Sequence, residues 1–114
     1  MTIGIVGPFS YLTLEERDKY VEQARQAAIQ LMYRGHAVYC PHTMYLDMEF
    51  VPGLEHEDFM RSTLAIIPRL EAIYLLPGWE YSRNGGCQRE RDTAERAGCQ
   101  VYEQMEDVPD GRET

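Results

Sequence analysis

Three short apolar runs, each halted at a proline, constrain the fold of this 114-residue chain more than any other feature. Ile3-Gly-Ile-Val6 stops at Gly7-Pro8, Ala37-Val-Tyr-Cys40 at Pro41, and Ala72 to Leu76 at Pro77-Gly78. Runs of this length without polar alternation suit strands buried on both faces, as in a parallel sheet. Proline then withholds a ladder donor and ends each strand, so the residues after it lie at the strand's carboxyl end.

Helical patterns separate the runs. Thr13-Leu-Glu-Glu16 reads as a capping box, after which Val21, Ala24, Ala28, Leu31 and Met32 form an apolar stripe that Gly35 closes. A second helix is predicted from about Glu55 to Ile67, with Phe59, Leu64, Ile66 and Ile67 inward and Glu55, Glu57 and Asp58 near its positive end. A third runs from about Gly86 to Ala97, and a last strand from Gln100 to Tyr102. Four strands and three main helices joined by right-handed crossovers give an α/β fold, a small Rossmann-like doubly wound parallel sheet of order 2-1-3-4. Residues 1–103 form the single domain, and 104–114 an acidic tail read as mobile or as an arm on a neighbour. The long apolar and aromatic loop from His42 to about Leu54 is expected to be functional or an oligomer contact.

A formal charge of −8 excludes wrapping a nucleic-acid polymer and leaves small nucleotides as the nucleotide class open to this chain. The three cysteines are odd in number and lack paired metal spacing, as do His36, His42 and His56, so neither metal nor cofactor is expected. No signal segment precedes the first strand and no apolar run reaches the ~18 residues of a membrane span, which predicts a soluble cytoplasmic protein.

In such sheets ligands bind beyond the carboxyl ends of the strands, at the point where strand order reverses. Here that crevice lies between the first and third strands, so the loop from Gly7 to Tyr11 and the segment from Pro77 to Glu90 should face each other. Glu90 then has two readings. It is either a solvated first-turn carboxylate or a nucleophile kept ionised by the helix dipole, able to attack an electron-poor carbon. Ser82, Asn84, Gly85 and Gly86 offer hydroxyl, amide and backbone N–H groups to a phosphate or sugar at the same helix start. Trp79 either stacks on a base or covers the core edge, and His42 follows Pro41 at a strand end, where a ligand would meet it.

Taken together, Gly7-Pro8-Phe9-Ser10, Arg34-Gly35-His36-Ala37-Val38, Pro41-His42-Thr43-Met44, Glu57-Asp58-Phe59-Met60-Arg61, and Leu75-Leu76-Pro77-Gly78-Trp79-Glu80 with Gly86-Cys87-Gln88-Arg89-Glu90 resemble the nucleoside 2-deoxyribosyltransferase-like superfamily, and within it the short bacterial and phage branch with a Leu-Pro-Gly-Trp motif. The resemblance implies a flavodoxin-like fold and cleavage of the N-glycosidic bond of a 2′-deoxynucleoside or its 5′-monophosphate, with Glu90 as nucleophile. It implies that Gly7, Pro8, Phe9 and Ser10 hold the sugar, that Asn84 or Ser82 holds a 5′ group, and that relatives complete their sites across a subunit boundary, so a homodimer or higher homo-oligomer is expected. Thr63 stands where relatives often carry an aspartate that protonates the leaving base, leaving Asp58 or Glu57 as stand-in proton donors. Glu71 replaces the usual aspartate at the start of the third strand. A non-catalytic module that sequesters or senses a nucleotide on the same fold is the alternative.

Overall fold

The computed structural model describes residues 1–9, 11–82 and 85–112. Strands β1 (Thr2–Val6), β2 (Ala37–Tyr39), β3 (Ala72–Leu75) and β4 (Gln100–Tyr102) form one parallel sheet of order β2-β1-β3-β4, the expected topology. Helices α1 (Leu14–Tyr33), α3 (His56–Ile66) and α4 (Gly86–Arg96) alternate with them, and a one-turn α2 (Pro41–Met44) follows β2.

Strand residues alternate between two cores, as a period of two requires. Ile3, Ile5, Ala72 and Tyr74 pack with Ala24, Ala28 and Leu31 of α1 on one face, while Val6, Ile73 and Leu75 pack with Ile67, Cys87 and Ala94 on the other. Both faces are thereby covered, which is why β3 is buried at every position. Thr13 caps α1 as expected, its hydroxyl oxygen accepting from the Glu16 N–H at 3.1 Å.

Two stripes differ from the sequence reading. Met32 is 63 % exposed, because at 100° per residue it lies past the edge of the face that Arg17, Val21, Ala24, Ala27, Ala28 and Leu31 bury. On the second helix the inward line is Met60, Thr63 and Ile67, so Leu64 and Ile66 are only half-buried.

Over its described residues the tail packs back onto the domain. Val108 is buried in the α1-side core, with Met105 packed against it. The Arg34 guanidinium donates to the carbonyls of Met105 and Val108, His36 Nε2 donates to the Pro109 carbonyl at 2.7 Å, and the Gly111 N–H donates to the Arg34 carbonyl at 2.7 Å. A 3₁₀ turn over Met105–Asp107 aims the two apolar residues inward and leaves Glu106 and Asp107 in water, so acidic composition and docking coexist. Among the described residues no helix is long and apolar enough to cross a membrane.

Candidate active site

The site begins where β1 and β3 end. A Cβ at Gly7 would run into the Leu76 side chain, whose own Cβ lies 3.0 Å away, so the missing side chain lets the two strand ends close on each other. The Leu76 N–H completes that junction by donating to the Val6 carbonyl at 2.8 Å. Beyond it the chains part, and a cleft opens at the switch point. Gly7 and Phe9 line it from the first loop, Pro41, His42, Tyr45 and Glu49 from the segment after β2, His56, Phe59 and Met60 from α3, and Ser82, Gly86, Cys87 and Glu90 from the segment after β3.

Glu90 is therefore in the cleft, but not where a first-turn carboxylate would be. The chain enters α4 through Gly85, whose φ of +63° is a left-handed conformation, and the helix starts at Gly86. Glu90 is its fifth residue, in the second turn, where the helix dipole has faded. No described residue hydrogen-bonds its carboxylate; burial pushes its pKa up to about 8, against a smaller opposing pull from Arg89. Burial rather than helix position thus governs the ionisation of Glu90 and favours the protonated carboxyl, which corrects the expectation that the helix dipole keeps it charged.

His42 is buried in the wall of the same cleft, where Pro41 opens α2 at a position that tolerates its missing N–H. Nε2 donates to the Pro8 carbonyl at 3.0 Å, which leaves Nδ1 as a lone-pair acceptor, and that atom has no hydrogen-bond partner among the described residues. Burial lowers the His42 pKa, outweighing the neighbouring carbonyls of Pro8 and Gly7, so the ring is neutral. Phe9 meets it edge-on with ring centroids 5.3 Å apart.

A chain of hydroxyls links the cleft wall to α3. Tyr45, which lines the cleft, meets Ser62 at 2.8 Å and Tyr39 at 2.9 Å, and Tyr39 meets Thr63 at 3.2 Å. Thr63 is buried, and its hydroxyl is committed to this network.

Of the residues singled out in the sequence, Gly7, Phe9, His42, Ser82, Gly86 and Glu90 line one cleft. Pro8 supports it through its carbonyl, and Gly85 shapes the turn into α4. Ser10 and Asn84 lie outside the described residues. Trp79 does not reach the cleft. The left-handed turn at Gly78 carries it over the β4 edge, where its indole N–H donates to Glu103 at 3.0 Å and the Arg91 guanidinium lies 4.8 Å from its ring centroid. Asp58 and Glu57 do not line the cleft either. Asp58 accepts from the Glu55 N–H and from Arg61, Glu57 pairs with Arg89 at 2.7 Å, and these partners lower both pKa values, so neither carries a proton to deliver.

Tyr45 and Glu49 were not legible as site residues. Glu49 is fixed by Arg17, 32 positions earlier, and only the length of the loop from His42 to Leu54 pointed toward it. Among the described residues, no group of three or more His, Cys, Asp or Glu is arranged to hold a metal ion.

The sheet order β2-β1-β3-β4 and the cleft at the β1/β3 switch point define an α/β fold of the doubly wound parallel class. A solved structure of that fold, a 2-deoxyribosyltransferase from the psychrotolerant bacterium Bacillus psychrosaccharolyticus, superposes with a TM-score of 0.65 at 19% sequence identity, covering 89% of this chain and 69% of its own. No curated protein matches the chain. The chain belongs to the family described as Domain of unknown function (DUF4406), which matches residues 1–103.

Proposed function

We propose that this protein cleaves or transfers the N-glycosidic bond of a 2′-deoxynucleoside or its 5′-monophosphate, with Glu90 as nucleophile. The observation that carries the reading is the placement of Glu90 in a cleft at the β1/β3 switch point, on a fold shared with a 2-deoxyribosyltransferase. The ionised Glu90 carboxylate attacks the anomeric carbon, the carbon–nitrogen bond breaks toward the base, and the base takes up a proton as it leaves. Water or a second base then attacks the glycosyl ester and regenerates Glu90. Gly7 and Phe9 border the sugar, and the backbone N–H groups at Gly86 and Cys87 with the Ser82 hydroxyl meet the 5′ group. Because burial raises the Glu90 pKa to about 8, the nucleophile forms as the carboxyl loses its proton, and base release is expected to rise with pH toward 8.

One observation favours a second reading, a module that binds the nucleotide without cleaving it. Thr63 is locked into neutral hydroxyls, and Asp58 and Glu57 are ion-paired away from the cleft, so none of the three stands ready to protonate the base. Purified protein and a Glu90→Ala variant, incubated with a panel of deoxynucleosides and 5′-monophosphates, separate the two. Release of base that vanishes in the variant supports the glycosidase, and binding without release supports the module. We further propose assembly into at least a homodimer in the cytoplasm, for which the exposed Met44, Met48, Phe50 and Val51 beside the cleft are the contact surface; light scattering on the eluting protein tests this.

A further inference from the structure

The cleft is lined by hydrogen-bond acceptors, Glu49 and His42, whose capacity the described residues leave partly unused. Glu49 lines it and also lines an adjoining groove, the two sharing Phe9, Glu49, His56 and Phe59. Aromatic rings wall this groove: Phe9 meets Tyr11 edge-on, centroids 6.2 Å apart, and Phe59 stands on the other side. Such walls suit a flat ring.

Glu49 is held there from behind. Arg17 is buried on the inner face of α1, and its guanidinium donates to Glu49 Oε1 at 2.8 Å and Oε2 at 3.4 Å, and to Asp47 at 2.7 Å, while lying 5.3 Å from the Phe50 ring centroid. Swinging Glu49 away would strip this buried cation of a partner, so the carboxylate stays in place. A carboxylate accepts about four hydrogen bonds and donates none. Arg17 uses one site on each oxygen, which leaves further acceptor capacity on a residue that lines both the cleft and the groove. His42 adds a second, independent acceptor, the Nδ1 that no described residue satisfies. Among the described residues lining the cleft and the groove there is no lysine or arginine.

We propose that Glu49 is the specificity-determining residue of the cleft, and that with His42 it selects a planar heterocycle presenting N–H donors, an amino-bearing base, over its carbonyl counterpart. This rests on the deoxynucleoside reading above and narrows it. A carbonyl oxygen standing where the exocyclic amine would donate to Glu49 sets acceptor against acceptor, and the single ring N–H of the carbonyl counterpart lies one ring position away, whereas the amine donates to the carboxylate directly.

The test is calorimetric titration of the full chain carrying Glu90→Gln, so that nothing is turned over, with 2′-deoxyadenosine against 2′-deoxyinosine and 2′-deoxycytidine against 2′-deoxyuridine. The amino member of at least one pair is expected to bind about tenfold tighter or better. Adding Glu49→Gln, whose amide can turn either a donor or an acceptor to the ligand, is expected to erase that preference. The compound N6,N6-dimethyl-2′-deoxyadenosine keeps the ring and lacks the donors, so its binding is expected to fall by a similar factor in the chain with Glu49 intact, which decides the matter even where Glu49→Gln fails to fold. Equal binding within both pairs, undiminished binding of the dimethyl compound, or a preference that survives Glu49→Gln overturns the role of Glu49 and leaves the deoxynucleoside reading standing. Binding of none of these compounds overturns both.

Discussion

Strand β2 carries a buried histidine near each end, and the two are built on opposite terms. His36, at the amino end, has both ring nitrogens engaged: Nδ1 with the Met1 ammonium at 3.0 Å and Nε2 with the Pro109 carbonyl. His42, at the carboxyl end, has one nitrogen engaged and one orphaned among the described residues. A buried polar atom without a partner costs roughly 1–3 kcal/mol, so a fold tolerates few of them. The amino end satisfies its histidine within the chain, while the carboxyl end leaves one histidine nitrogen unsatisfied among the described residues. Glu90 repeats the pattern, since no described residue hydrogen-bonds its carboxyl group.

The largest expected effect tests the open end. Glu90→Gln should lower base release by on the order of 10³-fold or more, measured by chromatography of the released base. The same substitution should make the protein more resistant to heat at alkaline pH. A raised pKa in the fold means that the stability contributed by the protonated carboxyl is fully present below its unfolded value of 4.5 and is lost as pH rises through about 8. Glutamine does not ionise, so the difference in Tm between variant and parent should widen from pH 5 to pH 9. A difference that is flat with pH would mean that Glu90 is not desolvated.

The closed end comes next. His36→Ala leaves the Pro109 carbonyl and the Met1 ammonium without their partner and should cost about 2 kcal/mol in denaturant unfolding, with ligand affinity unchanged. His42→Phe should do the reverse. It loses the bond to Pro8 but also removes the orphaned nitrogen, so stability should stay within ~1 kcal/mol while affinity drops roughly tenfold. If the two variants behave alike, the contrast between the ends of β2 has no functional content. The smallest effect belongs to Trp79→Phe, which forfeits the contact with Glu103 and weakens that with Arg91, for about 1 kcal/mol or less, with base release unaffected.

The sheet was legible because it rests on local signals: apolar runs, prolines at their ends and helical stripes between them fix the alternation, and strand order follows from right-handed crossovers. The placement of Glu90 at the switch point followed from the same logic. Its ionisation did not, because the cleft around it is walled by residues distant in sequence, among them Tyr45, Phe59 and Met60. For Trp79 two positions were open, over a base or over the core edge, and the structure packs it against the core beside Glu103, which lies 24 positions on. The tail had a faint signal in Met105 and Val108, three residues apart, but its acidic composition masked it. Glu49 had only the length of its loop, because Arg17, which fixes it, lies 32 positions earlier.

The close approach at Gly7 also sets a mechanical tolerance. The two strand ends that frame the cleft are separated by a gap that one methyl group would overfill. Gly7→Ala would act as a wedge, prising the first and third strands apart at the point from which both loops spring. Every distance across the cleft, including that from the Gly7 loop to Glu90, would change together, even though the substituted residue has no chemistry of its own.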